Sequence, residues 1–190
     1  PANCTEDGLT DGTHCADCGS IITEQQIIPA GHHYVNRECT VCHKWEPSNG
    51  LEFSLYYISG YGQCYGVSGI GSCIDKCLVI PETYNNIPVR VIGSNAIKGN
   101  TLIERLVMYE NIVSIQANAF NGCLNLMEIE LPETLETIGV SSFYNCGYYN
   151  DTSNWNNGVL YIDNYLVNAK KEIVGIYTVK DGTRLIANSA

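Results

Sequence analysis

A mainly β solenoid wound from short coils of about 23 residues is the fold class that this sequence predicts, and three observations predict it. The first is spacing: Ile92, Ile115 and Ile138 recur at one constant interval, as do Ala96, Ala119 and Ser142. The second is that residue type repeats with distance. The coils read Ile92-Gly-Ser-Asn-Ala96-Ile97-Lys-Gly99, Ile115-Gln-Ala-Asn-Ala119-Phe120-Asn-Gly122-Cys123 and Ile138-Gly-Val-Ser-Ser142-Phe143-Tyr-Asn-Cys146. The third is strand alternation, in that Met127-Glu-Ile129-Glu-Leu131 alternates apolar and polar before Pro132 stops the run. Leu106 and Met108 stand one coil earlier, in phase with Ile129 and Leu131, and Val89, Ile112 and Leu135 form a further column. A single coil has one apolar row and nothing to cover it, so stability comes from neighbour contacts and at least about three coils are needed.

In chain order, residues 1–47 read as a cysteine-rich head, 48–77 as a β-hairpin cap and 78–190 as the solenoid, with an island insertion at 147–176. The head holds Cys4, Cys15, Cys18, Cys39 and Cys42. Cys15-Ala-Asp-Cys18-Gly and Cys39-Thr-Val-Cys42-His are two knuckles with 20 residues between them, a spacing suited to a zinc-ribbon-like site. Two residues between thiolates let one tight turn offer both sulfurs to a tetrahedral ion, and Gly19 suits the positive φ of that turn. Cys15, Cys18, Cys39 and Cys42 are therefore the expected ligands of a structural zinc ion. An alternative set is Cys4, Cys15, Cys18 and His32, three thiolates and one imidazole. The remaining alternative is disulfides or unligated thiols, favoured by an oxidising compartment. His14, His33 and His43 are read as solvated or supporting groups. So short a head is near the size at which an apolar core alone fails, and it needs a covalent or metal staple.

In the cap, Leu51-Glu-Phe53-Ser-Leu55-Tyr-Tyr57 alternates as a strand, Gly60-Tyr-Gly62 turns, and Tyr65-Gly-Val67-Ser-Gly69-Ile-Gly71 returns. Its expected task is to cover the first coil and its sheet edge. Cys64, Cys73 and Cys77 fall here, and any pair among them is open to a disulfide. In the solenoid, Cys123 and Cys146 share a column and read as small buried thiols, a disulfide between neighbouring strands being the alternative. The island 147–158 reads as a polar loop, followed by a hairpin over 159–167 turning at Asp163-Asn164. Tyr177, Val179, Ile186 and Ala190 then stand two coils and two positions after Ile129, Leu131, Ile138 and Ser142, which predicts that the register resumes in a fourth coil left open at its far side.

The Ile-Gly-x-x-Ala-Phe-x-x-Cys coil, the Leu-Val-Ile-Pro-Glu-Thr-Tyr-Asn-Asn-Ile-Pro-Val segment at 78–89 and the Asn-Gly-Val-Leu-Tyr island resemble the BspA-type leucine-rich-repeat family. About 110 residues carry the resemblance. It implies a short-repeat solenoid on surface or secreted proteins of host-associated anaerobic bacteria, with relatives in mucosal protozoa, serving adhesion rather than catalysis. This sequence departs at Ile97, where the family favours Phe, at Gln116, where it favours Gly, and at Asn100, where it has Cys. The head resembles small cysteine-rich modules with a Cys-Thr, Cys-x-x-Cys-Gly and Gly-His pattern that stand beside such repeats in bacterial surface proteins.

Composition narrows the functions. With 20 Asp and Glu against 10 Lys and Arg, the formal charge of −10 opposes binding to nucleic acid or anionic lipid. No apolar run approaches the roughly 18 residues that span a bilayer, and the opening at Pro1 reads as a fragment or a mature piece. His-Glu-x-x-His, Gly-x-Ser-x-Gly, phosphate-loop and dinucleotide patterns are missing, so no enzyme is expected. Glu128 and Glu130 read as a solubilising pair on an outward row with Arg105, Val107, Ile176 and Thr178. The expected function is adhesion at the cell surface or in secreted form, through a protein, matrix or glycan ligand. Two alternatives accompany it: carbohydrate binding by Tyr148, Tyr149 and Trp155, and end-to-end self-association into a filament at the open last coil.

Overall fold

The computed structural model describes residues 4, 6, 8–28, 30–171 and 176–188. The chain divides into two units, Pro1–Glu46 and Pro47–Ala190.

The larger unit is a β solenoid held by two parallel ladders. One ladder joins Cys77–Val79, Arg105–Val107 and Glu128–Glu130, with Leu78, Leu106 and Ile129 in register and buried. The other joins Gly62–Gly69, Ile87–Ile92, Ser114–Ile115 and Thr137–Ile138. Its register sets Val67, Ile92, Ile115 and Ile138 in one file, none more than 2% exposed. The Ala96, Ala119, Ser142 column and the Val89, Ile112, Leu135 column are buried alongside it. Phe120 stacks on Phe143 with ring centroids 5.4 Å apart and planes 6° from parallel. The predicted columns are the core.

Between the ladders each coil turns twice through left-handed backbone, and the residues there repeat with the same period. Asn95, Asn118 and Ser141 sit at φ of 59°, 57° and 56°, and Gly99, Gly122 and Asn145 at 72°, 75° and 55°. This conformation costs most side chains about 1–2 kcal/mol, and Gly and Asn are its least penalised residues. The turns are not left unpaired: Asn95 N donates to Ala117 O, Asn118 N to Val140 O, Ile97 N to Ala119 O and Phe120 N to Ser142 O, at 2.8–3.0 Å. Each coil thus supplies its neighbour's backbone acceptors even where no strand forms. The departure at Gln116 also has a use, since its side-chain oxygen accepts from Ser94 N at 3.1 Å and Ser94 Oγ at 3.2 Å.

The cap is a hairpin of Glu52–Ile58 and Gly62–Gly69, and its second strand enters the ladder beside Ile87–Ile92. Thr83–Tyr84 adds a small hairpin on Ile87–Ile92 through Asn85 and Asn86, both at positive φ.

The island is more structured than a polar loop. Gly147–Asn150 forms one helical turn, Thr152–Asn154 a 3-10 turn, and Trp155–Asn156 pairs with Val159–Ile162 across a tight Asn157-Gly158 turn. The expected hairpin turn at Asp163-Asn164 is present, joining Val159–Ile162 to Tyr165–Ala169. Tyr165 is buried and its hydroxyl donates to Pro132 O at 2.7 Å.

This hairpin corrects the expected register of the last coil. Ile186 pairs with Leu166, not with Ile138, and Ala187 N donates to Leu166 O just as Gly139 N donates to Ile115 O. The last coil is shared between two neighbours, with Ala187 N bonded to the inserted strand Tyr165–Ala169 and Asn188 N donating to Ile138 O of the third coil at 2.9 Å. Tyr177, Val179 and Ile186 are left exposed, as is Ile176. Residues 172–175 of the island segment, and Ala190, placed in a repeat column above, lie outside the described residues.

Among the described residues of the head, three two-stranded ladders form: Gly8–Leu9 with Ile27–Ile28, Thr13–His14 with Ile21–Thr23, and Tyr34–Val35 with Glu38–Cys39. Among its described residues Cys39 alone is fully buried.

Candidate functional site

The Glu38–Cys39 strand ends in a knuckle. Cys39 N donates to Lys44 O at 2.8 Å, and His43 N returns to Cys39 O at 3.0 Å with His43 at φ 60°. His43, which stands where the first knuckle has Gly19, thus tolerates the left-handed position, and its Nδ1 lies 2.8 Å from Glu38 Oε1. The turn presents Cys39 and Cys42 together, and Cys4 and His32 come to meet them. The ligand atoms of Cys4, His32, Cys39 and Cys42 all lie within 4.8 Å of one another, with Cys4 Sγ 3.6 Å from Cys39 Sγ and Cys42 Sγ 3.3 Å from His32 Nδ1. Around a tetrahedral zinc ion with Zn–S near 2.3 Å, neighbouring sulfurs stand about 3.8 Å apart, so this three-sulfur, one-nitrogen set can hold a metal ion.

The protons of the set are unequal. The backbone N–H groups of Cys42 and Val41 draw the Cys39 thiol down to about 5, while desolvation, then hydrogen bonds to Cys42 and Cys39, push Cys4 up to about 11. Adjacent thiols resist ionising together, and a divalent cation removes that conflict.

The grouping differs from both ligand sets expected from spacing. Of Cys15, Cys18, Cys39 and Cys42, the second pair belongs to the cluster; of Cys4, Cys15, Cys18 and His32, the first and last do. Cys15 and Cys18 occupy their own knuckle, with Cys18 Sγ donating to Ser20 Oγ at 3.2 Å. Spacing identifies knuckles, whereas the pairing of the strands between them selects which ligands meet.

Among the described residues no two cysteines are joined by a disulfide. Cys123 Sγ donates to Ile97 O at 3.1 Å, and Cys146 Sγ accepts from Tyr149 N at 3.4 Å, capping the helical turn. Burial pushes both thiols up to about 11, which suits inert packing groups. Cys64 and Cys73 are buried and Cys77 is half-buried.

On the first ladder, Arg105 reaches Glu130 at 2.5 Å and Glu128 at 3.5 Å, so these carboxylates form a surface ion network. Val107, expected on this outward row, is 3% exposed, whereas Ile176 and Thr178 are exposed as expected. The outer face of the second ladder is different. Tyr56 lies across Gly66 and Gly93, where a Cβ would come within 2.6 Å of its ring and 2.7 Å of its hydroxyl. Tyr56, Tyr57, Ser114, Gln116, Glu136 and Thr137 line a shallow groove of about 220 Å³ there. The island rings serve packing: Trp155 Nε1 donates to Tyr149 O at 2.7 Å, the two rings meet edge to face at 5.0 Å, and Tyr148 Oη donates to Tyr161 O at 3.0 Å. Among the described residues no helix is long and apolar enough to cross a membrane.

Among the comparisons with known proteins, the family model agrees with the coil geometry. The family model of the BspA type leucine rich repeat region matches residues 75–188 in 6 copies. Among solved structures, the crystal structure of a T. pallidum leucine rich repeat protein, TpLRR, aligns at 24% identity and a TM-score of 0.42, over 52% of this chain and 44% of that one. This chain therefore spans less than half the length of that protein. No curated protein matches. The match over 75–188 takes in more than half of the sequence and falls on the coils whose columns form the core, and the chain belongs to the BspA-type leucine-rich-repeat family.

Proposed function

We propose that the chain is a non-catalytic adhesion protein, displayed on a cell surface or secreted, that binds a protein or matrix partner through its solenoid and carries a head held together by structural zinc. Repeats of this family point to protein interaction, and the groove lined by Tyr57, Ser114, Gln116 and Thr137 is the observation that carries the choice of face. Tyr57 and Thr137 are exposed on this ladder, and the Tyr57 ring gives contact area with little loss of conformational entropy. No nucleophile paired with a base lines that groove, which supports binding over catalysis.

The zinc ligands in this reading are Cys4, His32, Cys39 and Cys42. Four protein ligands fill a tetrahedral ion and leave no place for an activated water, so the ion's chemistry is to fix the fold. The test is adhesion to immobilised extracellular-matrix proteins by the intact chain and by a Tyr57→Ala, Thr137→Arg variant with unchanged melting temperature. At least about a tenfold loss of affinity is expected from removing a central aromatic anchor and adding an unpaired charge. Undiminished binding by the folded variant would move the activity off this face.

A further inference from the structure

The two knuckles of the head are the same turn. In each, the first cysteine's N–H donates to the carbonyl five residues on, Cys15 to Ser20 and Cys39 to Lys44, both at 2.8 Å. In each, the N–H four residues on returns to the first cysteine's carbonyl, Gly19 to Cys15 at 2.9 Å and His43 to Cys39 at 3.0 Å, from a residue at φ 71° or 60°. The turn that aims Cys39 and Cys42 at a common point therefore aims Cys15 and Cys18 in the same way. Their surroundings differ. Cys39 and Cys42 meet Cys4 and His32, but among the described residues no third Cys, His, Asp or Glu joins Cys15 and Cys18 within a ligand sphere. Cys18 is exposed, and a groove of about 570 Å³ whose lining includes His14, Gly19, Ile21, Thr23, Glu24 and Gln25 opens beside the knuckle.

We propose that Cys15 and Cys18 are half of a second metal site, for a thiophilic divalent cation such as zinc, which the same pair from a second copy of this chain completes. A knuckle needs two ligands from elsewhere, and a second knuckle is the partner whose donor number, donor type and geometry match it. Two copies related by a two-fold axis through the ion supply four thiolates in a tetrahedral arrangement, the closed symmetry commonest in homodimers. Four thiols lose their protons to solvent, four metal–sulfur bonds form, and nothing is oxidised or reduced. The formal charge of −10 on each chain opposes contact between copies, so the cation makes association conditional on metal. The idea shares with the zinc reading above the premise that these knuckles bind metal, but it uses different residues.

The test titrates zinc into the reduced full chain, measuring bound metal by elemental analysis and mass by light scattering. The expected result is a dimer with about 1.5 ions per chain, one at each Cys4 site and one shared, reversed to monomer by chelator. A Cys15→Ser, Cys18→Ser chain is expected to stay monomeric with about one ion, and that retained ion shows that its head has folded. A wild-type chain that binds about one ion and stays monomeric overturns the proposal while leaving the first site standing; no bound zinc overturns both. A second ion on a monomer, or a Cys15–Cys18 disulfide found by thiol counting, also overturns it.

Discussion

The solenoid and the head both contain strands of only two or three residues, yet these are stabilised in opposite ways. Ser114–Ile115 is a two-residue strand, as is Gly8–Leu9. The first endures because Ile115 lies between Ile92 and Ile138 in a file closed to water, so every coil covers its neighbour's apolar row. The head has no such file. Its Leu9, Ile21, Ile27, Val35 and Val41 are 49–69% exposed, and the one fully buried side chain among its described residues is the thiol of Cys39. Short ladders thus suffice where repetition supplies the cover, and where it does not, the fold must be tied at a point. The four ligands that converge in the head can hold a metal ion, and in the function proposed above that ion is the tie.

Removing metal breaks the comparison most sharply. A structural zinc site is worth on the order of 10 kcal/mol, more than a head without a core can replace. Chelation is expected to abolish hydrogen-exchange protection at Cys39 and His43 while leaving it at Ile115 and Gln116. Equal protection in both units after chelation would show that the head stands without an ion. The reciprocal experiment is Ile115→Ala, which opens a cavity in the central file and is expected to cost about 2–5 kcal/mol in denaturant unfolding of the solenoid. Metal content should not change, since the head does not draw on that file.

Alkali probes the solenoid's depth. Cys123 and Cys146 ionise near 9 when unfolded, and burial holds them at about 11 in the folded chain. Between those values the unfolded chain sheds protons that the native one keeps, so stability is unaffected below pH 9 and falls as pH rises toward 11. Melting temperatures across that range should decline less in a Cys123→Ala, Cys146→Ala chain, and alkylation at pH 8 should spare both thiols until the solenoid unfolds. A smaller effect is expected at the turns: Asn118→Ala forces alanine into φ 57° and removes the acceptor of Asn121 Nδ2, at about 1–2 kcal/mol, and Asn118→Gly should recover the backbone share but not the hydrogen bond. The smallest belongs to Arg105→Ala, whose exposed carboxylate partners limit the loss to about 1 kcal/mol or less by denaturant titration, lower still in high salt.

Much of this was legible in the residues, and the misses have physical causes. Columns that recur once per coil were readable because each coil solves the same packing problem with the same side chains. The Asn157-Gly158 turn carried a hairpin signal that a reading of the island as polar loop passed over. The shift of Ile186 from Ile138 to Leu166 was not legible, because both offer an apolar residue of suitable size and only the inserted strand's position selects between them. The burial of Val107 was equally hidden, since alternation assigns a face but does not tell whether that face is covered.

By itself, the sequence determined the solenoid, its core columns and the two thiol knuckles, because local spacing and residue type suffice when a structure repeats or when a turn is four residues wide. Tertiary structure alone decided which donors assemble in the head and which strand the last coil pairs with. Cys4 and Cys42 stand near opposite ends of the head's sequence with His32 and Cys39 between them, and their meeting depends on how the intervening hairpins fold back. Such long-range choices are settled by loop closure and mutual packing, which no local pattern encodes.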